Sequence, residues 1–493
     1  MLKTIIKREF LNNIFNLRFM VGLVLCVIIT VACIIILAHD YRQKMEDFYL
    51  RVNLQDEILS NYATRGRIIA MYPDQKPPER FRPLIIGISG NENVESFYDN
   101  PLPILFPPFD FLFIVTIIMS LLAILFSYDA ITGERQRGTL RLVTSNSISR
   151  TKILFGKWAG GTASLLIPFI LSLLVGALYI SLNTSIQWDG SAWAEFVLLT
   201  AASITFITLF YLLGLMISAF SRYSSTSILN CLFLWVLLIL VVPNLCPYIS
   251  AQHCPVPSIK EIQRKESEFS RQGKVNAMES MQESVKRFRS RYGELFSEFE
   301  SMEFGGIGSL YILRRNAYPK HREAAHQRAA ADPEFKAMMD AFRKEYEKAD
   351  NVFMHSVEEI KKLRKELKTK ATAQTKLAKN LACISPLANF VYVARDLTGT
   401  GLRSVEHYVQ VQREYDTQFE KYLYKQVQKA EKSDPTFTWK SFLDLSDRPR
   451  FVFKEESLRG KLNAILPYWG ILVLFNVVFF AAAFAGFIRY DVR

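Results

Sequence analysis

Six long apolar segments separate the polar parts of this chain. A helix needs about 20 predominantly apolar residues to cross the hydrocarbon core of a bilayer, and each segment approaches that length with almost no charged side chain. Because a charge inside lipid is costly, this pattern predicts transmembrane helices. The predicted spans cover residues 19–38, 109–127, 163–182, 196–220, 226–245 and 464–488. The expected fold class is therefore an all-α membrane protein with six transmembrane helices.

The short connections between the spans differ in charge. Lys and Arg are enriched in cytoplasmic loops, and here they concentrate before the first span, between the second and third spans, and after the sixth span. The connection 183–193 contains Asp189 and no basic residue. This difference predicts that both termini are cytoplasmic, with a short tail at 489–493. Segments 39–108 and 246–463 are then expected on the outer side of the membrane.

The first 18 residues have a helical pattern of their own. Leu2, Ile6 and Phe10 recur at steps of four, while Lys3 and Lys7 lie between them. A basic amphipathic helix of this kind lies in the membrane interface. Residues 1–18 therefore predict an interfacial helix, and a simple basic anchor is the alternative.

The long outer segment contains two further helical patterns. Apolar residues recur every three or four positions from Met278 to Met302 and again from Phe335 to Leu367. Glycines and prolines between the two series are turn signals. We expect a mainly helical outer domain in which these two helices pack as an antiparallel hairpin. An intermolecular coiled coil is the alternative.

Composition agrees with a membrane protein that has large polar parts. The chain has 493 residues, half of them hydrophobic, and a formal net charge of +13. Many Lys and Arg residues of the short loops lie at the predicted membrane borders, and such residues favour a cytoplasmic position of the loop. The lipid bilayer is therefore an expected partner, and a nucleic acid is not.

No catalytic constellation can be assembled from the sequence. A phosphate-binding loop needs Gly-x-x-x-x-Gly-Lys-Ser/Thr. The nearest stretch, FGKWAGG at residues 155–161, has Trp158 in place of the hydroxyl residue and lacks the preceding glycine. The spacing gives no Ser/His/Asp or Glu/Glu arrangement either. We therefore expect a chain that is not itself an enzyme, with no directly bound cofactor and no metal.

Two cysteines lie at the predicted outer end of the fifth span. The stretch CPYISAQHC contains Cys246 and Cys254, with His253 beside the second cysteine. The pair is a candidate disulfide if it faces an oxidising compartment. Free thiols are an equal alternative, and a soft-metal site that includes His253 is a weaker one.

The stretch FSYDAITGERQRGTLRLVTSNSISRTKILFGKW, residues 126–158, resembles the cytoplasmic loop after the second span in type-2 permeases of ABC exporters. The family pattern is an aspartate, a Glu-Arg pair, Gly-Thr-Leu, a Ser-Arg pair and a Gly-Lys that enters the third span. The residues of this chain that match the pattern or lie within it are Asp129, Glu134, Arg135, Arg137, Gly138, Thr139, Leu140, Arg141, Ser149, Arg150, Gly156 and Lys157. One departure is visible, because the family commonly has a proline shortly before the Ser-Arg pair and residues 146–148 contain none.

This resemblance implies that residues 128–161 form a cytoplasmic coupling loop. In that family, a coupling helix docks on a separate cytosolic ABC ATPase, and the ATPase binds ATP and Mg²⁺. A second permease copy, identical or related, completes the transporter. The ATPase and a second copy are thus the partners that the resemblance implies.

A second stretch, ISPLANFVYVARDLTGTG at residues 384–401, resembles the subgroup that has a large extracytoplasmic domain before the last span. Such permeases occur in gliding-motility and copper-enzyme-maturation systems. The two resemblances imply a permease subunit of a bacterial cytoplasmic membrane that couples ATP hydrolysis to export or to force transmission. They also suggest a periplasmic or surface partner at the outer hairpin. A membrane-anchored sensor or scaffold without transport is the alternative.

Overall fold

The computed structural model describes residues 2–61, 76–87, 109–140, 149–183, 186, 188–304, 325, 327–433 and 442–489. The regular structure of these residues is helical. Six helices among them are long and apolar enough to cross a membrane, so the predicted all-α membrane fold is confirmed. From the first span to the sixth, the helices cover Leu17–Asn61; Phe111–Phe113, Ile114–Met119 and Ser120–Ser127; Arg150–Leu182; Gly190–Phe220; Ser224–Val236, Leu237–Val241 and Val242–His253; and Leu458–Ile488.

The second and fourth spans form the centre of the bundle. About two thirds of the apolar window of each is buried inside the chain, against less than a quarter for the fifth and sixth spans. The fourth span packs against the second and sixth spans, and the third span packs against the first. The fifth and sixth spans therefore present most of their apolar surface to the outside of this chain.

Two of these helices are longer than hydropathy alone indicates. The first continues past residue 38 as far as Asn61, because its polar extension finds partners, such as Arg82, whose Nε donates to Asp40 at 2.8 Å. The third begins at Arg150, far before residue 163. Part of the segment 128–161 is therefore the start of the third span, and Lys157 lies within a helix.

The N-terminal helix, Leu2–Ile14, packs along the third span. A turn at Phe15 and Asn16 separates it from the first span, which starts at Leu17. The chain thus begins with a separate amphipathic helix at the end of the bundle where the second and third spans are connected.

The segment 246–463, which the charge of the short loops predicts to lie outside and which is named the outer domain below, contains the predicted antiparallel hairpin. Helix Ile259–Tyr292 packs along helix Pro333–Ala382, and Arg364 pairs with Glu266 near one end of the hairpin. Gly293 interrupts the first predicted series with a φ of +49°. A separate helix, Glu294–Phe304, follows this glycine. Of the predicted turn residues, Gly305, Gly306, Gly308 and Pro319 lie outside the described residues, whereas Pro333 begins the second helix of the hairpin.

The hairpin returns into the membrane-spanning bundle. Its second helix is followed by Pro386–Leu397, named the inserted helix below, which packs against the fourth and sixth spans. Phe390 stacks on Phe206 of the fourth span with ring centroids 4.7 Å apart. Ser385 donates a hydrogen bond to the carbonyl of Leu238, in a π-helical part of the fifth span. The outer domain is thus joined to three spans through the inserted helix.

Another helix of the outer domain, Leu402–Ser433, packs beside the extension of the first span. Leu59 shares a small apolar core with Phe419 and Val427 of this helix. Arg448 pairs with Asp56 beside this core. The extended first helix therefore supports the outer domain as well as crossing the membrane.

Candidate functional site

A short helix follows the second span and lies within the predicted coupling loop. It covers Thr132–Gln136 and is named the loop helix below. It ends before Gly138, whose φ is +74°. Glycine commonly terminates helices in this left-handed conformation, because it has no Cβ to clash. Nothing lies within 4 Å of the position that a Gly138 Cβ would take. Glycine is therefore favoured here by the backbone conformation and not by a lack of space.

Ser218 of the fourth span holds the first turn of the loop helix. Its Oγ accepts hydrogen bonds from the backbone N–H groups of Ile131 and Thr132, each at 3.1 Å. The first N–H groups of a helix have no partner within the helix, and Ile131 supplies no side-chain cap. Ser218 is fully buried and takes the place of that cap. The fourth span and the loop helix are therefore joined directly.

The fifth span contacts the same segment through two serines. Ser224 Oγ donates to Gln136 Oε1 at 2.8 Å, and Ser227 Oγ donates to the Tyr128 carbonyl at 2.7 Å. The guanidinium of Arg135 donates to the carbonyl of Ser221, which connects the fourth and fifth spans, at 2.8 Å. The loop helix is thus hydrogen-bonded to both of these spans.

Lys157 joins three separate elements. Its Nζ lies 2.8 Å from Oε1 of Glu9 on the N-terminal helix and 2.8 Å from Oε1 of Glu134 on the loop helix. The Lys157 side chain is only 3% exposed, so this ammonium depends on the two carboxylates for its stabilisation. Oε2 of Glu134 is buried and has no hydrogen-bond partner in the described part of the chain. One buried cation therefore fixes the loop helix and the N-terminal helix on the third span.

Two glycines of the third span allow the N-terminal helix to approach this closely. A Cβ at Gly156 would lie 2.6 Å from Cγ2 of Ile5, and a Cβ at Gly160 would lie 2.7 Å from the carbonyl oxygen of Ile6. Side chains cannot be accommodated at such distances without movement. Both residues of the Gly-Lys pair therefore contribute to the same contact. Gly156 allows the close approach of the N-terminal helix, and Lys157 pairs with Glu9 of that helix.

Asp129 is held from the first span. Arg18 donates to Asp129 Oδ2 at 3.1 Å and to the Tyr128 hydroxyl at 2.8 Å, and its guanidinium lies over the Tyr128 ring. The same arginine donates to the Leu125 carbonyl at 3.1 Å. The end of the second span is therefore fixed to the start of the first.

The last residue of the loop helix and the two residues that follow it face outward. Gln136, Arg137 and Gly138 are exposed and are named the exposed tip below. Arg137 follows the loop helix and donates through Nε to the carbonyl of Gly133 within it. The exposed tip is therefore one surface at this end of the bundle that another protein can reach.

The remaining predicted residues support the same end of the bundle. Leu140 is fully buried, and Thr139 donates to the Glu134 carbonyl at 3.3 Å. Ser149 precedes the third span, and Arg150 donates to the carbonyls of Phe487 and Ile488 at the end of the sixth. Arg141 lies outside the described residues. The predicted site residues are therefore brought together, but most of them face inward.

Sequence reasoning missed three residues that build this site. Glu9 is the lone acid of an otherwise basic N-terminal helix, which is the signal that could have identified it. Ser218 lies in an apolar span whose end is rich in serine. Arg18 is one of several basic residues before the first span, and its charge alone gives no sign of these contacts. Their roles depend on contacts between segments that are far apart in the sequence.

A second charged cluster lies at the opposite end of the bundle. Lys461 at the start of the sixth span pairs with Glu195 of the fourth at 2.7 Å, and both side chains are at most 3% exposed. Lys461 also lies 3.5 Å from Glu455, which accepts two hydrogen bonds from Arg80. Arg80 reaches Asp189 at 2.8 Å. This cluster joins the fourth and sixth spans to the outer segments.

Two carboxyl groups at this end have lowered pKa values. The backbone N–H of Ala192 and the hydroxyl of Ser191 stabilise ionised Asp189 and lower its pKa. A two-point hydrogen bond with Arg403 lowers the pKa of Glu456 below its ordinary range. Both groups are therefore held in the charged form at neutral pH.

The two cysteines are separate free thiols in this conformation. Cys246 is buried within the helix Val242–His253, and Cys254 follows the end of that helix. Eight residues of helix span about 12 Å, whereas disulfide-bonded Cα atoms lie within about 7 Å. This conformation does not contain a Cys246–Cys254 disulfide, and the disulfide stays a prediction. The described residues also include no group of three or more His, Cys, Asp and Glu side chains placed to hold a metal ion.

Comparison with known proteins relates this arrangement to a family. The family model described as ABC-2 family transporter protein matches residues 3–492. The probable ABC transporter permease protein NosY of Stutzerimonas stutzeri is 38% identical over 69 residues, which cover 14% of this chain and 25% of that protein. The protein of the same name from Pseudomonas aeruginosa is 29% identical over 122 residues, which cover 24% of this chain and 36% of that protein. The matched regions thus span about a quarter to a third of these curated relatives.

Proposed function

We propose that this chain, which belongs to the ABC-2 family of transporter proteins, uses its exposed tip to bind a separate cytosolic ABC ATPase. The observation that carries the proposal is the position of the loop helix. Arg137, directly after this helix, is exposed, while Ser218, Ser224 and Lys157 connect the helix to the fourth, fifth and third spans, respectively. A force applied at the tip would therefore act on several spans at once.

The chain would be the membrane subunit and the ATPase would be the enzyme. In this proposal, ATP and Mg²⁺ bind to the ATPase, and the permease binds neither directly. ATP binding moves the loop helix, and Ser218 passes the movement to the central fourth span. Rearrangement between packed helices is a common form of such transitions.

A second copy of the permease, identical or related, completes the proposed transporter. Leu229, Leu232 and Val236 are exposed on one face of the fifth span. These positions are three or four residues apart, so they form a continuous apolar strip on a helix. We propose that a second permease packs against this strip. Each permease copy would then offer its own exposed tip to one of two ATPase subunits.

The outer domain would convert the movement of the spans into work outside the cytoplasmic membrane. Ser250 of the fifth span donates to the Gln374 carbonyl of the hairpin, and Gln374 donates back to the Cys254 carbonyl at 2.9 Å. Together with the inserted helix, these contacts make the hairpin follow the fifth span. We propose that this motion drives either export of a cargo or force on a periplasmic or surface partner, with both termini of the chain in the cytoplasm.

Co-purification with the products of neighbouring genes tests the proposal. The full chain is expected to retain an ABC ATPase, and Arg137→Glu is expected to lose it because the exposed charge is reversed. Arg413→Glu is the matched control, since Arg413 is also exposed but lies on the outer helix Leu402–Ser433. A chain that retains no ATPase in the absence of any substitution would contradict the proposal and favour a sensor or scaffold.

A further inference from the structure

A groove separates the fourth and fifth spans at the end of the bundle that carries the loop helix. Its volume is about 660 Å³, which lies within the usual range for small-molecule sites, about 300–1,000 Å³. The residues that define its chemistry are Phe220, Arg222, Tyr223, Asn230, Phe233 and Leu234.

The backbone between the two spans gives the groove its shape. The fourth span ends at Phe220 and the fifth begins at Ser224, with extended conformations at Ser221 and Tyr223 between them. This connection keeps the two helices apart and places Arg222 at the mouth. Phe220 is close to Gly486 of the sixth span, where an added Cβ would lie 3.1 Å from its ring. The wall of the groove is therefore supported by a third helix.

The lining is divided into a polar mouth and an apolar interior. Arg222 is exposed and forms no ion pair with any described residue, and Tyr223 and Asn230 add hydrogen-bonding groups beside it. Phe233 and Leu234 continue the groove along the fifth span toward the membrane centre. A ligand that fits both parts has an anionic head and an apolar tail.

The position of the groove points to a ligand of the bilayer itself. The mouth lies where two spans end, which is the level of the lipid headgroups, and Tyr and Arg are typical of that boundary. Arginine binds phosphate oxygens through charge-assisted hydrogen bonds. A free nucleotide or sugar would leave the apolar interior without a partner.

We propose that this groove binds one anionic phospholipid, with its phosphate on Arg222 and an acyl chain against Phe233 and Leu234. The bound lipid also stabilises the loop helix, because the Ser221 carbonyl at the rim of the groove accepts the hydrogen bond from Arg135 at 2.8 Å. Lipid binding therefore favours the position of the loop helix that this structure describes. The binding itself does not depend on an ATPase.

Native mass spectrometry of the purified full chain tests the proposal. The chain is titrated with phosphatidylglycerol or with phosphatidylcholine of the same acyl chains. We expect tighter retention of phosphatidylglycerol, and we expect Arg222→Gln to reduce its affinity about tenfold, the effect of losing about 1.4 kcal/mol of binding free energy. Arg413→Gln, which removes a charge at the other end, should leave retention unchanged.

A second variant separates the two parts of the groove. Phe233→Ala should weaken both lipids similarly, because it removes apolar contact and leaves Arg222 in place. Equal retention of the two lipids by the unchanged chain would overturn the proposal, as would unchanged phosphatidylglycerol affinity in a folded, monodisperse Arg222→Gln chain. The proposal would also be overturned if the unchanged chain formed a dimer without bound lipid and the Arg222→Gln chain did not. The groove would then be a contact between two copies of the chain.

Discussion

The ammonium group of Lys157 lies 2.8 Å from Oε1 of Glu134, inside the bundle and almost fully buried. Both residues belong to the sequence pattern of the coupling loop, but this contact gives them an internal role. They fix the loop helix on the third span, while the neighbouring Arg137 faces outward. The proposed partner surface is therefore formed by other residues of this segment than the buried contact that fixes the loop helix.

Replacing Lys157 with methionine should destabilise the whole chain. The substitution leaves the carboxylates of Glu9 and Glu134 near each other without their cation, and breaking a buried pair of this kind costs about 3–5 kcal/mol. We expect a clearly lower Tm for the purified protein in detergent. Lys152→Met is the control, since Lys152 is exposed on the same helix. Equal Tm values for the two variants would contradict the role of Lys157.

A methyl group at Gly160 should displace the N-terminal helix. The added Cβ would lie 2.7 Å from the Ile6 carbonyl oxygen, and backbone cannot yield as a flexible side chain can. We expect faster hydrogen exchange across Leu2–Ile14 in Gly160→Ala. Gly470→Ala is the control, because its new Cβ meets nothing within 4 Å, and its amides in Leu2–Ile14 should exchange at the original rate. An unchanged exchange rate across Leu2–Ile14 in Gly160→Ala would count against close packing of the two helices.

Removing the hydroxyl of Ser218 should release the first turn of the loop helix. Two buried N–H groups, those of Ile131 and Thr132, lose their acceptor, which costs about 1–3 kcal/mol. Their exchange should therefore be faster by roughly tenfold or more. Ser203→Ala is the matched control, because among the described residues the Ser203 hydroxyl donates only to the carbonyl of Leu199 in its own helix. Slow exchange that persists in Ser218→Ala would show that another group holds this turn.

The outer end of the bundle should lose stability in acid. Arg403 lowers the pKa of Glu456 below the ordinary value of 4.5, so the folded protein binds this proton less readily than the unfolded chain does. The stabilisation is present at neutral pH and is lost as the pH falls from about 4.5 through the folded pKa. We expect Glu456→Gln to have a lower Tm at pH 7 and a weaker dependence of Tm on pH below 4.5. An unchanged pH dependence would exclude this pair as a contributor.

The sequence predicts the apolar parts of this molecule well, and the structure shows why. Length and hydropathy identify six spans because the bilayer constrains both, and the steps of three and four residues identify the outer hairpin because one face of each helix is buried. Helix ends are less predictable, since the helix from Leu17 continues to Asn61 through polar residues that are stabilised by tertiary contacts.

The internal arrangement of the site depends on contacts that sequence spacing does not contain. Resemblance to a family located the segment with Glu134, Arg137 and Lys157, but it could not separate the inward side chains from the outward one. Glu9 and Ser218 lie 125 residues before and 84 residues after Glu134. Only the folded chain brings an acid of the first helix and a serine of the fourth span to the same short segment.

Photo-crosslinking at the exposed tip tests the central claim most directly. A photoreactive amino acid at position 137 of the full chain, irradiated in membranes that contain the co-expressed ABC ATPase, should give an adduct with the mass of both proteins. The same group at position 140 should give none, because Leu140 is fully buried. No ATPase adduct from position 137, or an equal adduct from an outer position such as 413, would contradict the assignment of the exposed tip as the ATPase contact.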